Sequence, residues 1–409
     1  MQCRLCHAEL EHIFVDLGNS PAANSFLTKE QLNEPEVWYP LKLYVCTSCW
    51  LVQMDEHKKA TEIFNEDYPY YSSHSPGNVS RAKEYVKMVV KRFGLGEKSH
   101  VIEIGSNDGY LLQHFLPYSI WATGIEPAKG AARIAIDKGV DTLQEFFTSA
   151  LGIVIAPADL ICGSNVLAHN PNLNDFVEGL RIALKPDGIV TMEFPHLANL
   201  LDGTCQWDTI YSEHYSYLSF MTVCTLFKIH GLEIFDVTMT PEQGGSIMIF
   251  AQHENPISGY LTQESDIRIN SLIHQEQEFG MNTIECYQNF QKRVERTKRD
   301  LLSFLLYRKS LGETVVAYGA SCKCNTLLNY VGIRPDLIKF VVDKSPLKQG
   351  KYLPGSHLPI LTEDDLKRER PEFVIITAWN LKDEIVNQLE YIRSWGGKFV
   401  MTTPYLEVI

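Results

Sequence analysis

The sequence predicts an α/β protein in three parts: a cysteine-paired, zinc-binding N-terminal domain, a central Rossmann-like domain, and a smaller Rossmann-like α/β domain at the C-terminus. Three observations predict it. Two Cys-x-x-Cys pairs bracket a segment of short strands and turns within residues 1–66. Strand and helix patterns alternate from residue 99 to about 253. After a long helical stretch the alternation restarts at 313. Alternation of this kind implies right-handed crossovers and mainly parallel sheets. The expected domains are therefore 1–66, 67–260 and 261–409.

In the first part, Cys3-x-x-Cys6 and Cys46-x-x-Cys49 each form a tight turn that can aim two thiolates at one ion. Two such turns supply the tetrahedral sulfur set that zinc favours, and four thiolates close the site. Cys3, Cys6, Cys46 and Cys49 are the expected ligands of a structural zinc, with His7 as a conceivable substitute. The alternative is two unrelated pairs of buried thiols. The thin core between the pairs favours a metal staple.

In the second part, a helix is expected from Asn78 to about Phe93, with Val79, Tyr85, Val86 and Val89 on its apolar side. Val101-Ile102-Glu103-Ile104 reads as a buried strand, and Gly109-Tyr110-Leu111-Leu112 as the start of a helix. Trp121–Ile125, Asp159–Gly163 and Ile189–Phe194 read as further strands, the last preceded by a turn at Lys185–Gly188. The first strand runs into Glu103-x-Gly105-x-x-x-Gly109, whose glycines let a ligand approach the backbone closely. Glu126 follows the second strand, where a carboxylate meets ribose hydroxyls. Phe146, within Glu145-Phe146-Phe147, falls where an adenine contact is expected. Asn165 follows the strand at 159–163. Together with Asn107 in the loop, Glu103, Gly105, Gly109, Glu126, Phe146 and Asn165 outline a site for S-adenosylmethionine. The competing dinucleotide reading prefers G-x-G-x-x-G, and this loop has G-x-x-x-G instead.

In the third part, Ile284, Tyr287, Phe290, Val294, Leu301 and Leu305 recur at helical spacing within 262–308. Strands are expected at Thr314–Tyr318, Ile338–Asp343 and Phe373–Thr377, with a fourth at Lys398–Met401.

The motif Thr209-Ile210-Tyr211-Ser212-Glu213-His214-Tyr215-Ser216-Tyr217 resembles the active-site signature of the nucleotide-sugar C-methyltransferases, typified by deoxysugar C-3 methyltransferases. The paired cysteines, the segment Asp67–Ser75 and Gly244-Gly245-Ser246 are similar to the same family. So are Tyr318-Gly319-Ala320, Asn325–Tyr330 and Pro346–Gly355. The match runs in order over almost the whole chain. It implies a zinc domain, a methyltransferase domain, and a C-terminal domain that helps hold a nucleotide-linked sugar with a ketone at C-4. The chain departs from the family around Lys323, where Cys322 and Cys324 stand in place of a small residue and Gly.

Methylation at carbon needs a base for the C–H beside the ketone and donors for the enolate oxygen. His214 is the expected base, since a neutral imidazole is available near pH 7. Glu213 would orient or polarise the site. Tyr68 and Tyr211 are the expected donors, and His169 is a secondary candidate. Lys323, Asn325, Lys348 and Lys351 are the candidate contacts to the nucleotide-sugar. The motifs leave methylation at C-5 as an alternative, and two other functions fit parts of the sequence. One is a zinc-containing interaction protein with a degenerate methyltransferase fold; the other is a nicotinamide oxidoreductase acting through the C-terminal unit.

The formal net charge of −13 argues against a nucleic-acid partner, which needs a basic face. No apolar run approaches the length of a membrane span, and no secretory signal opens the chain. A cytoplasmic monomer is the expectation.

Overall fold

A computed structural model describes residues 1–409 apart from 67, 242–243 and 257–258. Asp67 of the Asp67–Ser75 motif therefore lies outside the described residues. The chain forms two compact units, neither of them one continuous segment. Unit 1 comprises residues 1–11, 46–197 and 215–283; unit 2 comprises 12–45, 198–214 and 284–409. Among the described residues no helix is long and apolar enough to cross a membrane.

Unit 1 is built on a seven-stranded sheet. Its strands are β1 (His100–Ile104), β2 (Trp121–Ile125), β3 (Asp141–Leu143), β4 (Ala158–Ser164), β5 (Leu184–Pro195), β6 (Leu232–Thr240) and β7 (Ser246–His253). They lie in the order 3-2-1-4-5-7-6. The first five are parallel, and β7 runs antiparallel to both of its neighbours. The order reverses between β1 and β4, and at such a switch point the strand ends part to leave a ligand crevice. All five residues of β1 are buried, as befits a strand covered on both faces.

The helix Pro76–Phe93 begins where Ser75 accepts from the Asn78 amide, with Pro76 in its first turn, and ends at Gly94 in a left-handed conformation. It buries Ala82, Val86 and Val89 against a core that includes Val101, Leu160 and Ile189. Two details differ from the sequence reading. Residues after Gly109 form only short 3₁₀ turns, Leu112–His114 and Leu116–Tyr118, because Pro117 denies the helix a donor. The turn at Lys185–Gly188 lies inside β5 as an irregularity of four residues opposite Asp159, between the pairs Ala158–Leu184 and Leu160–Ile189.

Unit 2 joins an antiparallel hairpin, His12–Pro21 with Trp38–Val45, to the C-terminal α/β fold. Its sheet contains β8 (Val315–Tyr318), β9 (Val341–Val342), β10 (Ile360–Leu361), β11 (Phe373–Ile376), β12 (Lys398–Met401) and β13 (Glu407–Val408). The order is 10-9-8-11-12-13, parallel except for the last strand. The expected strand at 338–343 narrows to two residues. The long helix Phe290–Ser310 buries Phe290, Val294, Leu301, Phe304 and Leu305. Phe14 of the hairpin stacks on Phe290 at 4.6 Å and meets Tyr287 edge-on at 5.7 Å.

Candidate active site

The two cysteine turns are near copies of each other. In the first, the His7 amide donates to the Cys3 carbonyl at 2.9 Å and His7 takes a left-handed φ of 63°. In the second, Trp50 donates to the Cys46 carbonyl at 2.8 Å with φ 62°. Both bends come directly after the pair's second cysteine and turn its thiol inward. Cys3 Sγ lies 3.5 Å from Cys49 Sγ, and Cys6 Sγ 3.5 Å from Cys46 Sγ. All four sulfurs lie within 4.8 Å of one another. A tetrahedral zinc with bonds of about 2.3 Å places its sulfurs about 3.8 Å apart, so the set fits the ion. Gln53 Nε2 donates to Cys3 Sγ at 3.1 Å, the outer hydrogen bond typical of such a centre. This cluster holds the protein's structural zinc, and His7 takes no part in it.

The cofactor loop follows β1. Gly105 has φ +65°, and a Cβ there would lie 2.5 Å from Val166 Cγ1, so only glycine fits. Glu126 closes the loop from the end of β2. Its carboxylate accepts from the Asn107 amide at 2.8 Å and from the Ala128 amide at 2.7 Å. Burial raises the Glu126 pKa, although those two amides pull the other way. Burial also holds the Glu103 carboxyl well above the usual range, and the charges of Glu126 and Asp108 push it further. Glu103 Oε2 is buried with no hydrogen-bond partner among the described residues, as is Asn165 Oδ1 beyond β4. Asn165 has φ 58°, and its amide donates to the Glu193 carbonyl at 2.7 Å.

Three carboxyl groups thus crowd one loop, against Lys138, which pairs with Asp108 at 3.4 Å. A pyrophosphate would meet repulsion here. A sulfonium with an ammonium group would be drawn in, and two orphan acceptor oxygens suit its N–H donors. The residues present therefore fit S-adenosylmethionine, the cofactor of this protein. Phe146 is half-buried beside the fully buried Phe147, which packs on Phe176 at 5.5 Å. A cavity of about 280 Å³ opens beside the loop, with Tyr85, Tyr110, Ser164 and Glu193 among its walls.

The loop is also clasped by the segment around Tyr70–Ser73. The Ser72 amide donates to Asn107 Oδ1 at 2.7 Å, and Asn107 Nδ2 donates to the Tyr70 carbonyl at 3.1 Å. Ser73 bonds to Asp108 through its hydroxyl and its amide. Asn107 has φ 51°, a conformation that asparagine tolerates better than most residues. Its side chain is spent on the clasp, a role that loop position alone does not reveal. Asn107→Ala removes both bonds. We expect cofactor affinity to fall about tenfold, the effect of about 1.4 kcal/mol. Hydrogen exchange of residues 70–75 should rise alongside. Wild-type affinity measured by calorimetry would refute this role.

The five expected catalytic residues divide between the units. In unit 1, the Phe64 ring lies between Tyr68 at 5.1 Å and His169 at 5.6 Å, which gathers both into one aromatic cluster. In unit 2, Tyr211, Glu213 and His214 share one tight turn, where the His214 amide donates to the Tyr211 carbonyl at 3.0 Å. His214 Nδ1 lies 3.1 Å from the Thr209 carbonyl, and Nε2 lies 2.8 Å from the Tyr211 hydroxyl. A carbonyl can only accept, so Nδ1 carries the proton. Nε2 then presents a lone pair, to which Tyr211 donates. Glu213 is buried, and its Oε1 accepts from Asn24 Nδ2 at 2.8 Å. Asn24 was missed by sequence reasoning, which placed it in the zinc domain.

The four candidate sugar-nucleotide residues also lie in unit 2. Ser321 caps the helix Cys322–Val331, which starts just beyond β8. Lys323 Nζ donates to Asn380 Oδ1 at 3.2 Å and lies over the Trp379 ring at 5.2 Å; burial lowers its pKa. Trp379 Nε1 in turn donates to both oxygens of Asp208, at 3.0 and 2.9 Å. Burial raises Asp208 to about 7 against the pull of Lys323. Lys348 Nζ donates to the Ala320 carbonyl at 2.9 Å and pairs with Asp343 at 3.4 Å. Asn325 is fully buried, and Lys351 half-buried.

Known proteins match the chain throughout. Residues 3–64 match the model of a zinc-binding domain, 79–237 a methyltransferase domain and 241–404 a C-methyltransferase C-terminal domain. The C-methyltransferase NovU of Streptomyces niveus is 32% identical over 415 residues, covering 100% of this chain and 96% of that protein. Two solved structures match the chain over less than half of its length. A magnesium protoporphyrin IX methyltransferase from Synechocystis superposes with a TM-score of 0.36 at 14% identity, over 44% of this chain and 84% of that one. A methyltransferase from Clostridium acetobutylicum gives 0.36 at 11% identity, over 43% and 92%. The chain belongs to the S-adenosylmethionine-dependent C-methyltransferases, the family that its motifs resemble.

Proposed function

We propose that the protein methylates a sugar carbon, C-3, of a nucleotide-linked 4-keto-6-deoxysugar through an enolate. The fixed tautomer of His214 carries this reading. With Nδ1–H held on the Thr209 carbonyl, Nε2 is the nitrogen that accepts a proton. It takes the C-3 proton, and the C–H electron pair becomes the enolate delocalised onto the C-4 oxygen. S-adenosylmethionine, when bound, supplies the electrophilic methyl group. Once substrate enters, the Tyr211 hydroxyl leaves the Nε2 lone pair and donates, with Tyr68, to sugar or enolate oxygens, and the Glu213 charge favours the imidazolium that forms. His169 is a secondary polar group of the Tyr68 cluster.

Glu126 serves the ribose of the cofactor, Phe146 its adenine, and Glu103, Gly105, Asn107, Gly109 and Asn165 its remaining parts. Lys323, Asn325, Lys348 and Lys351 serve the nucleotide-sugar. The protein works as a cytoplasmic monomer with consecutive zinc, methyltransferase and sugar-nucleotide segments at 1–66, 67–260 and 261–409.

The test is incubation with S-adenosylmethionine and a panel of nucleotide-4-keto-6-deoxysugars. Mass spectrometry should find a gain of one methylene, and NMR should place the new methyl group at C-3. A methyl group at C-5 would replace the position, and no methylated sugar across the panel would reject the substrate class.

A further inference from the structure

We infer that Asn24 is a positioning residue for the reaction, its amide fixing the Glu213 carboxylate on the turn that carries the base. The inference rests on the roles proposed for Glu213 and His214. Glu213 is 3% exposed, and a buried carboxylate needs donors to stay ionised. Asn24 Nδ2 supplies one at 2.8 Å. An arginine or lysine there would hold the carboxylate equally well but cancel its charge. A neutral amide leaves that charge available to an imidazolium on His214.

The surrounding loop is built to deliver this side chain. The hairpin's paired residues end at Pro21 and Trp38, and Asn24 lies in the long connection between them. A turn closes at Ala22, whose carbonyl accepts from Ser25 at 3.1 Å. Leu27 and Tyr352 exchange two backbone hydrogen bonds, each of 2.9 Å. Farther on, Glu36 accepts from the Gly355 amide at 2.8 Å and bonds to His357. The loop is thus pinned on both sides of the segment that carries Asn24. Cys322, from the helix Cys322–Val331, lies against the same amide; burial pushes its thiol pKa up, with the Glu213 charge adding. Lys348 and Lys323 face that thiol, and Tyr211 and His214 flank Glu213 on its own turn.

Asn24→Ala in the full-length zinc-loaded protein is expected to lower kcat by about ten- to a hundredfold, as for losing a hydrogen bond to a charged group. KM for the sugar and the affinity for S-adenosylmethionine should stay within about twofold, since the amide touches neither ligand in this scheme. Deuterium uptake at the substrate's C-3 in heavy water, without the methyl donor, should slow in proportion to kcat. Asn24→Asp keeps the shape and places a second carboxylate against Glu213. Two adjacent carboxylates share a proton, so the acid limb of the kcat/KM profile should move to higher pH. That variant carries the test should Asn24→Ala not fold. A normal kcat in Asn24→Ala, or an unmoved acid limb in Asn24→Asp, overturns the inference. Glu213→Gln separates the failures. If it exchanges deuterium at the wild-type rate, the role of Glu213 falls and that of Asn24 with it. If it is slow while Asn24→Ala is normal, only the inference about Asn24 falls.

Discussion

His214→Ala should lower turnover by about 10²- to 10⁴-fold, the range for a lost general base, with S-adenosylmethionine affinity unchanged. The reason is local. The imidazole is held at both nitrogens: Nδ1 by the Thr209 carbonyl and Nε2 by the Tyr211 hydroxyl, with the buried Glu213 next to it in sequence. The cofactor loop lies in unit 1 and His214 in unit 2, so binding and chemistry are separable measurements. Stopped turnover with calorimetric binding intact is the expected pair of results. His214→Gln should do no better, because an amide offers no basic nitrogen. Turnover within threefold of wild type in either variant would remove His214 from the mechanism.

Zinc removal is expected to have the largest effect on stability. Each isolated structural site contributes about 10–16 kcal/mol of apparent binding free energy near pH 7. Here the cysteine turns are also tied to the body of unit 1. Arg4 donates to the Pro171 carbonyl at 2.9 Å, Asn174 Nδ2 donates to the Arg4 and Leu5 carbonyls, and Thr222 donates to the Cys49 carbonyl at 3.2 Å. These contacts retain part of the fold without metal. We therefore expect Cys46→Ser, or chelation under mild denaturation, to lower Tm by about 10 °C or more. Zinc content should fall from one ion per chain. A variant that loses zinc but melts at the wild-type temperature would show the metal to be dispensable for stability.

What the sequence disclosed was local in spacing. The Cys-x-x-Cys pairs, the strand at 100–104 with its glycine turn, and Glu126 after the next strand are patterns within a few residues, and each stands where the spacing put it. The segment after Gly109 misled because Tyr110-Leu111-Leu112 has helical composition, and Pro117 acts only several residues later. The Asn107 clasp joins residues 35 and 37 apart, and Asn24 meets Glu213 across 189 positions. No periodicity encodes such pairs. Only the fold brings them together.

The interleaving of the two units bears on how this enzyme can be rebuilt. The chain passes from one unit to the other after Glu11, Val45, Leu197, His214 and Thr283. The proposed base is thus the last residue before a crossing, and Tyr215 already belongs to the other body. A single cut anywhere frees neither body whole. Exchange of acceptor preference between relatives by splicing at one junction would mix segments of both parents within at least one unit. Recombination that succeeds must graft paired segments, such as 12–45 together with 198–214, in one operation.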